Sequence, residues 1–410
     1  MRVVALGAGG MGRYAAKTAA GFDFVDELII ADLDQSAASR LAESIGSKAR
    51  SMRVDVTDAS SLATAFEGAH AVLNSVGPFF RLGPPVLRAA IAAKCHYLDI
   101  NDDWESTEAM MALNSDARAA GITAVIGIGA SPGISNLLAV TAMRELDQVD
   151  EVYAGFDLDA AMPESRGEKP CAATIHGVHQ LTGTIRVFDG GKVVDEPPLR
   201  RVSFEYPGLG RCEAFTMGHP EAITFPASYP ELSRCLVLMT MSRTNMTVMR
   251  VLARLVDAGW LSVERAAGFI EWAEGVGKPV KTPEDYLREL LSGRQRTLPP
   301  LFAVVNGRRN GRRESVAASI MSAPAVGMGG ATGVPLAVGL AAVRPDGDVP
   351  RGVFAPEAII DPDAFFDRLA PLCTPKKKSR ENLLLVSRSW ENLSLRARLS
   401  ERAASAPSSS

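Results

Sequence analysis

The chain has 410 residues, of which 47% are apolar and 22% charged, and a formal net charge of −3. That length exceeds one ordinary hydrophobic core and predicts two packed lobes, and the composition excludes extensive disorder. The near-neutral balance gives no electrostatic reason to gather on phosphate backbones, so nucleic acid is not an expected partner.

The five cysteines, Cys95, Cys171, Cys212, Cys235 and Cys373, are scattered, with no zinc-ligand or CxxC spacing. Reduced thiols and a cytoplasmic location are expected. The apolar run that begins at Val3 stops at Gly7, too short for an export signal. Residues 315–343 carry no charge and are long enough to cross a bilayer, but seven glycines and prolines between Pro324 and Gly339 interrupt them. The expectation there is no membrane span, but a buried glycine loop followed by a short helix from near Pro335.

In chain order, residues 3–6 read as a strand, 10–20 as a helix closed by Gly21, and 28–31 as a second strand ending at Asp32. A helix over 35–45 leads to a strand ending near Asp55 and Val56, and Asp58 caps the helix that follows. Residues 71–76 form a fourth strand, 84–94 a helix, 97–100 a fifth strand, 106–120 a helix and 122–128 a sixth strand. Strands alternating with helices at this spacing predict a parallel sheet with right-handed crossovers. The expected fold class is α/β: an N-terminal doubly wound Rossmann sheet followed by an α+β lobe.

The first turn reads Gly7-Ala8-Gly9-Gly10-Met11-Gly12, a GxGxxG between a strand and a helix. Gly7 allows the tight turn, Gly9 lets backbone approach a pyrophosphate, and Gly12 lets helix and strand pack closely. Asp32, twenty residues after Gly12, is placed to accept the adenosine ribose hydroxyls and to repel a 2′-phosphate. NAD is therefore the expected cofactor, with NADP as the alternative through Arg13 or Arg40. A turn that merely packs, with Asp32 as a cap, is the bland reading.

Ligands of such sheets bind outside the carboxyl ends of the strands. Asp55 and Val56 are thereby expected on the adenine side, and Asn74, Gly77 and Pro78 on the nicotinamide side. Tyr97, Asp99 and the turn with Pro132 and Gly133 would face the substrate. Asp99 is read either as the group that holds a substrate ammonium or as a cap or rim ion pair; Asp102 and Asp103 are read as surface caps.

The stretches GAGGMG at 7–12, DVTD at 55–58, NSVGPFFRLGPPVLRAAIAAKCHYLDI at 74–100, SPGISN at 131–136, GHPEAITF at 218–225, TGVPLAVGL at 332–340 and GVFAPEAIIDPDAFF at 352–366 resemble the saccharopine dehydrogenase-like family over roughly residues 1–373. The family includes saccharopine reductases, lysine 6-dehydrogenases and carboxynorspermidine synthases. Resemblance implies an oxidoreductase that makes or breaks a C–N bond beside the hydride-transfer carbon of an amino acid or polyamine. It also implies that a cofactor domain over 1–133 is completed by about 326–373, around a substrate domain over 134–325. Two departures stand out: Ser131 replaces an acidic residue, and Asp32 favours NAD. Both tilt the expectation toward an amino-acid dehydrogenase of the lysine 6-dehydrogenase type. Reductive condensation of an aldehyde with an amine, and a non-catalytic dinucleotide-binding regulator, are the alternatives.

In the second lobe, residues 185–194 read as a hairpin around Asp189-Gly190-Gly191, and 246–256 and 263–272 as amphipathic helices. A homodimer is expected. His176 and His179 share a helix face and are candidates for the general base, but no third ligand at suitable spacing completes a metal site, so no metal is expected. His219 is either a cleft residue or part of a capped turn. Arg243 is a candidate for a substrate carboxylate or a buried ion pair. Residues 374–410 are expected to form a disordered tail.

Overall fold

The computed structural model describes residues 1–160, 172–275, 298–324, 327–344 and 347–391, together with 393–395 and 397. The first half follows the alternation of the sequence. It comprises β1 (Arg2–Leu6), α1 (Gly10–Ala20), β2 (Glu27–Asp32), α2 (Gln35–Ile45), β3 (Ala49–Arg53), α3 (Ala59–Phe66), β4 (Ala71–Asn74), α4 (Phe79–Ala92) and β5 (His96–Asp99). Then come α5 (Trp104–Met111), α6 (Asn114–Ala120), β6 (Thr123–Val125) and α7 (Ile134–Met143).

Alternate residues of β1 feed opposite faces of the sheet. Val3 and Ala5 join one buried cluster, Val4 and Leu6 the other. A strand buried on both faces has to be apolar, and from Val3 to Leu6 this one is.

The second lobe holds β7 (Gln148–Asp157), α8 (Ala172–His179), β8 (Ile185–Asp189), β9 (Lys192–Glu196), β10 (Arg201–Tyr206), β11 (Gly210–Thr216), α9 (Glu221–Ser228) and β12 (Arg234–Thr240). The helices α10 (Arg243–Asp257) and α11 (Val263–Gly275) precede the long hairpin β13 (Leu301–Arg309) and β14 (Arg312–Ile320). The chain then returns through α12 (Met328–Ala342), β15 (Gly352–Phe354), α13 (Pro356–Ile359), α14 (Pro362–Leu369), α15 (Arg380–Leu383) and β16 (Leu384–Arg388).

One sheet has the order β15-β6-β5-β4-β1-β2-β3, parallel throughout. The other runs β10-β11-β12-β7-β13-β14-β16, with the β8–β9 hairpin on β12. It is mixed: β12 and β7 pair in parallel, β7 and β13 antiparallel. The α/β class expected from the sequence is the one observed.

Four local expectations need correction. The helices expected to start at Pro84 and near Pro335 start at Phe79 and Met328 and carry those prolines inside. Proline is favoured in the first helical turn, but it can sit deeper where the helix gives up one backbone bond. The predicted helix over 106–120 is broken into α5 and α6 at Ala112–Leu113. Part of the expected tail is ordered, because β16 lies on the sheet edge against β14. No helix among the described residues is long and apolar enough to cross a membrane. The glycines of the uncharged stretch serve helix packing instead: a Cβ on Gly333 of α12 would come within 2.1 Å of the Met11 carbonyl oxygen on α1.

Candidate functional site

At the carboxyl end of β1 the glycine turn has the geometry that a pyrophosphate requires. Gly7 adopts φ +96°, and a Cβ on Gly12 would meet the Gly7 carbonyl oxygen at 2.0 Å. Gly9 differs, since a Cβ there would meet nothing within 4 Å. Gly9 is the N-cap of α1, no side chain caps that helix, and its first turn holds no acid. Free N–H groups, a favourable dipole and open space above Gly9 together fit an anionic diphosphate.

Asp32 faces the same turn, accepting hydrogen bonds from the backbone N–H of Ala8 at 2.7 Å and of Asp34 at 2.9 Å. Each oxygen keeps a further lone pair for a ribose hydroxyl. With Asp34 two residues on, this end of the cleft is acidic. Asp55 turns back on Thr57, taking both its backbone N–H and its hydroxyl, and Val56 follows in that turn.

Asn74, at the end of β4, and Tyr97, within β5, are wholly buried. Asn74 donates to the Tyr97 hydroxyl at 2.9 Å, and that hydroxyl donates to Asp99 at 2.8 Å. Asp99 also accepts from the backbone N–H of Asn101 and Gly127, at 3.0 and 2.7 Å. The expectation that Asp99 meets a substrate ammonium is therefore corrected. Its carboxylate is fully enclosed and occupied in holding the loops after β5 and β6. Burial pushes its pKa up to about 6, against the three hydrogen bonds it accepts. Tyr97 is likewise enclosed, so it cannot contact a substrate. Gly77-Pro78 and Ser131-Pro132 are cis peptides at the ends of β4 and β6, and Gly133 caps α7.

The histidines expected to act as bases bridge the two lobes instead. His176 is buried, with Nε2 3.2 Å from Asp102 and Nδ1 2.9 Å from Asp103. Burial disfavours its charge, but the two carboxylates outweigh that and hold its pKa well above the usual value. An imidazole kept protonated is a poor proton acceptor. Asp103 is accordingly no surface cap: it is buried and also accepts from the backbone N–H of Phe80. His176 with these two acids forms a set of donor atoms all within 4.8 Å of one another, a third-ligand arrangement invisible in the local spacing. His179 is half exposed, 3.7 Å from Glu105. Arg243 is exposed at the start of α10, outside the apolar strand that ends at Thr240.

The second lobe brings a different histidine to the crevice. His219 is buried, its Nδ1 2.5 Å from the wholly buried Glu221. The other Glu221 oxygen accepts from the Ser131 hydroxyl at 2.8 Å and lies 2.9 Å from Ser135 Oγ, so the pair is seated on the turn that follows β6. Burial raises the Glu221 pKa, yet His219 and Ser131 more than offset it and the carboxyl stays below its ordinary value. Glu221 and Ser135 escaped the sequence reading, although both lie in the quoted stretches GHPEAITF and SPGISN. A glutamate in a helix-forming stretch gives no local sign that it will be buried.

Beside the pair is a cleft of about 180 Å³, lined by Asp102, Asp103, Glu105, Asp257, His179 and Gly218 among others. Four carboxylates there face one lining imidazole, with the His176 ring behind them. Such a cleft suits a cation.

A doubly wound parallel sheet whose glycine turn opens onto this crevice, joined to a mixed-sheet lobe, defines a two-domain Rossmann protein built for a nicotinamide dinucleotide. Residues 3–125 match the family model described as the saccharopine dehydrogenase NADP-binding domain, which supports an NAD(P) cofactor on the parallel sheet. Carboxynorspermidine synthase of Vibrio cholerae is 25% identical over 252 residues, 54% of this chain and 58% of that protein. Carboxyaminopropylagmatine dehydrogenase of Synechocystis is 24% identical over 267 residues, 61% of this chain and 65% of that protein. The chain thus spans a little under two thirds of the length of these relatives. Saccharopine dehydrogenase (L-Glu forming) of Saccharomyces cerevisiae shares the fold, with a TM-score of 0.56 at 17% identity, over 94% of this chain and 99% of that one.

Proposed function

We propose that the protein is an NAD(P)-dependent oxidoreductase acting on a C–N bond, and that it joins a carbonyl compound to an amine by reductive condensation. The observation that carries the reading is the buried His219–Glu221 pair beside an acidic cleft at the carboxyl edge of the parallel sheet. The names of the two curated relatives support an amine-bearing, polyamine-like substrate. When bound, the nicotinamide ring supplies the hydride.

The chain's own residues hold and protonate. Glu221 orients His219 through Nδ1, which leaves Nε2 to exchange a proton with the substrate nitrogen or oxygen. Ser131 fixes Glu221, and the carboxylates of the cleft steer a cationic amine toward the pair. His176 and Asp103 tie the second lobe to the loop after β5.

An amino-acid dehydrogenase of the lysine 6-dehydrogenase type is the second reading. It rests on the acidic pair Asp32 and Asp34 at the ribose end, which favours NAD and with it the oxidative direction. Following nicotinamide absorbance separates the two. Oxidation of NADPH or NADH that requires both an aldehyde and an amine supports condensation; reduction of NAD by a lone amino acid supports the dehydrogenase. Cofactor binding with no absorbance change in either assay leaves a regulator and overturns both.

A homodimer fits the exposed apolar residues of α10, α11 and the turn between them. Trp260 is 81% exposed and Trp272 67%, with Val251 and Phe269 nearby in the same helix pair. Light scattering of the wild type and of Trp260→Glu tests this, and a monomeric wild type would end it. Cys95, Cys212, Cys235 and Cys373 are buried thiols, which fits the cytoplasmic location expected from the sequence.

A further inference from the structure

A second buried acid lies behind the His219–Glu221 pair. Glu357, in α13, is 4% exposed, and Asn136 Nδ2 donates to its Oε2 at 2.7 Å. Asn136 Oδ1 accepts from the backbone N–H of Gly133 at 2.8 Å and lies 3.1 Å from Ser135 Oγ. Gly133 closes the Ser131-Pro132 turn, and Ser131 and Ser135 are the two hydroxyls on Glu221. A continuous set of contacts therefore runs from α13 through the start of α7 to the imidazole.

We infer that Glu357 is a positioning residue: as a neutral acid it fixes Asn136, and through Asn136 the Ser131–Ser135 segment that seats Glu221 beneath His219. The inference rests on the proposed role of His219. Three observations support it. Glu357 Oε1 and Thr224 Oγ1 are both buried, and Thr224 meets this carboxyl as a neutral hydroxyl that brings no charge to balance a carboxylate. Two buried carboxylates linked by so short a path resist ionising together. Burial, with the charge of Glu221, pushes the Glu357 pKa up to about 7, against the hydrogen bonds of Thr224 and Asn136.

The groups around Glu357 do not supply a countercharge. From α9 it meets Glu221 and Thr224, and the Tyr229 hydroxyl just beyond α9 donates to its backbone carbonyl. From β12 comes the Cys235 thiol, whose ionisation Glu221 and Glu357 oppose. Arg144, at the end of α7, is paired with Asp361 and Asp363. On its outer side Glu357 lines a cleft of about 600 Å³ shared with Glu231, Asp147 and Asp361.

Ionising Glu357 places a second negative charge behind Glu221, and it tightens the pull of the carboxylate on Asn136, which shifts the Ser131–Ser135 segment seated on it. The expected result is that kcat falls as pH rises through about 7. In Glu357→Gln that fall moves upward by at least about one pH unit, with cofactor affinity unchanged. Asn136→Leu lowers kcat about tenfold or more at every pH, with KM for the cofactor little altered. A wild-type profile that Glu357→Gln reproduces overturns the inference.

A measurement without substrate keeps the two proposals apart. The chain has five histidines, so the His219 ring resonances can be followed by NMR. They should show an inflection near pH 7 that disappears in Glu357→Gln. If the inflection is present and no amine or aldehyde is turned over, the proposed function fails and the coupling stands. If turnover is seen and the inflection survives in Glu357→Gln, the coupling fails alone.

Discussion

His176 Nδ1 and Asp103 Oδ1 meet at 2.9 Å, and this contact joins a helix of the mixed-sheet lobe to the loop after β5 of the parallel sheet. Asp102 faces the other ring nitrogen at 3.2 Å, so a single imidazolium is held between two carboxylates of the cofactor domain.

Removing that imidazolium should loosen the lobes. Breaking a buried pair by deleting one partner costs about 3–5 kcal/mol. His176→Ala should therefore lower the thermal midpoint strongly, and it should also raise the KM for the amine. The sign of the pH dependence follows from a raised folded pKa. The stabilisation is complete below about 6.5 and is lost as pH rises through the higher folded value. Thermal melts across that range should show an alkaline loss in the wild type that is absent from the variant.

Gly9 and Gly12 should respond to alanine in opposite ways. Gly9 has φ −78°, accessible to any residue, and its added Cβ meets no protein atom within 4 Å. Gly9→Ala should keep its melting temperature and lose cofactor binding by calorimetry. Gly12→Ala should damage the fold itself, because its Cβ would press on the Gly7 carbonyl oxygen. Unimpaired cofactor binding by Gly9→Ala would remove the pyrophosphate from this turn.

Asp32→Ala deletes an acceptor for the Ala8 N–H and for the ribose. Hydrogen bonds to charged groups contribute about 1.5–3 kcal/mol, so NAD affinity should fall by roughly one to two orders of magnitude. NADP should lose less, since the variant no longer repels its 2′-phosphate. Calorimetric titration with both cofactors checks this, and equal losses would contradict the ribose assignment.

Asp99 separates support from chemistry. Asp99→Asn keeps an oxygen for the Gly127 and Asn101 N–H groups and should retain cofactor binding. Asp99→Ala leaves both buried donors unpaired, at about 1–3 kcal/mol each. The raised pKa has a further effect: its contribution to stability is complete below about pH 3.8 and is lost as pH passes through about 6. In Asp99→Asn that acid-side slope should flatten.

His219→Gln should lower kcat by about 10²–10⁴ while leaving the cofactor dissociation constant unchanged. A variant that turns over like the wild type would return the proton-transfer role to another group.

Much of this was legible in the residues. The glycine turn, its distant acid and the strand–helix alternation are local patterns, and β1 to β6 lie where those patterns put them, within a few residues. The proline-bearing helices α4 and α12 start earlier than local preference places them, because packing supports an interior proline. The site was less legible. Asp99 carries the right chemistry at the end of a strand, but whether it faces solvent or Gly127 depends on the loop after β6. His219, Glu221, Asn136 and Glu357 are separated by up to 221 positions, as between Asn136 and Glu357. No window of sequence reports that they touch.

The seventh strand of the cofactor domain, Gly352–Phe354, and the helix Met328–Ala342 that closes over α1 are both made long after the first six strands. On the ribosome, then, the dinucleotide fold waits with one edge unpaired and the back of its first helix uncovered while some two hundred further residues emerge. Chains cut within the second lobe should therefore be cleared by proteases rather than accumulate as free fragments.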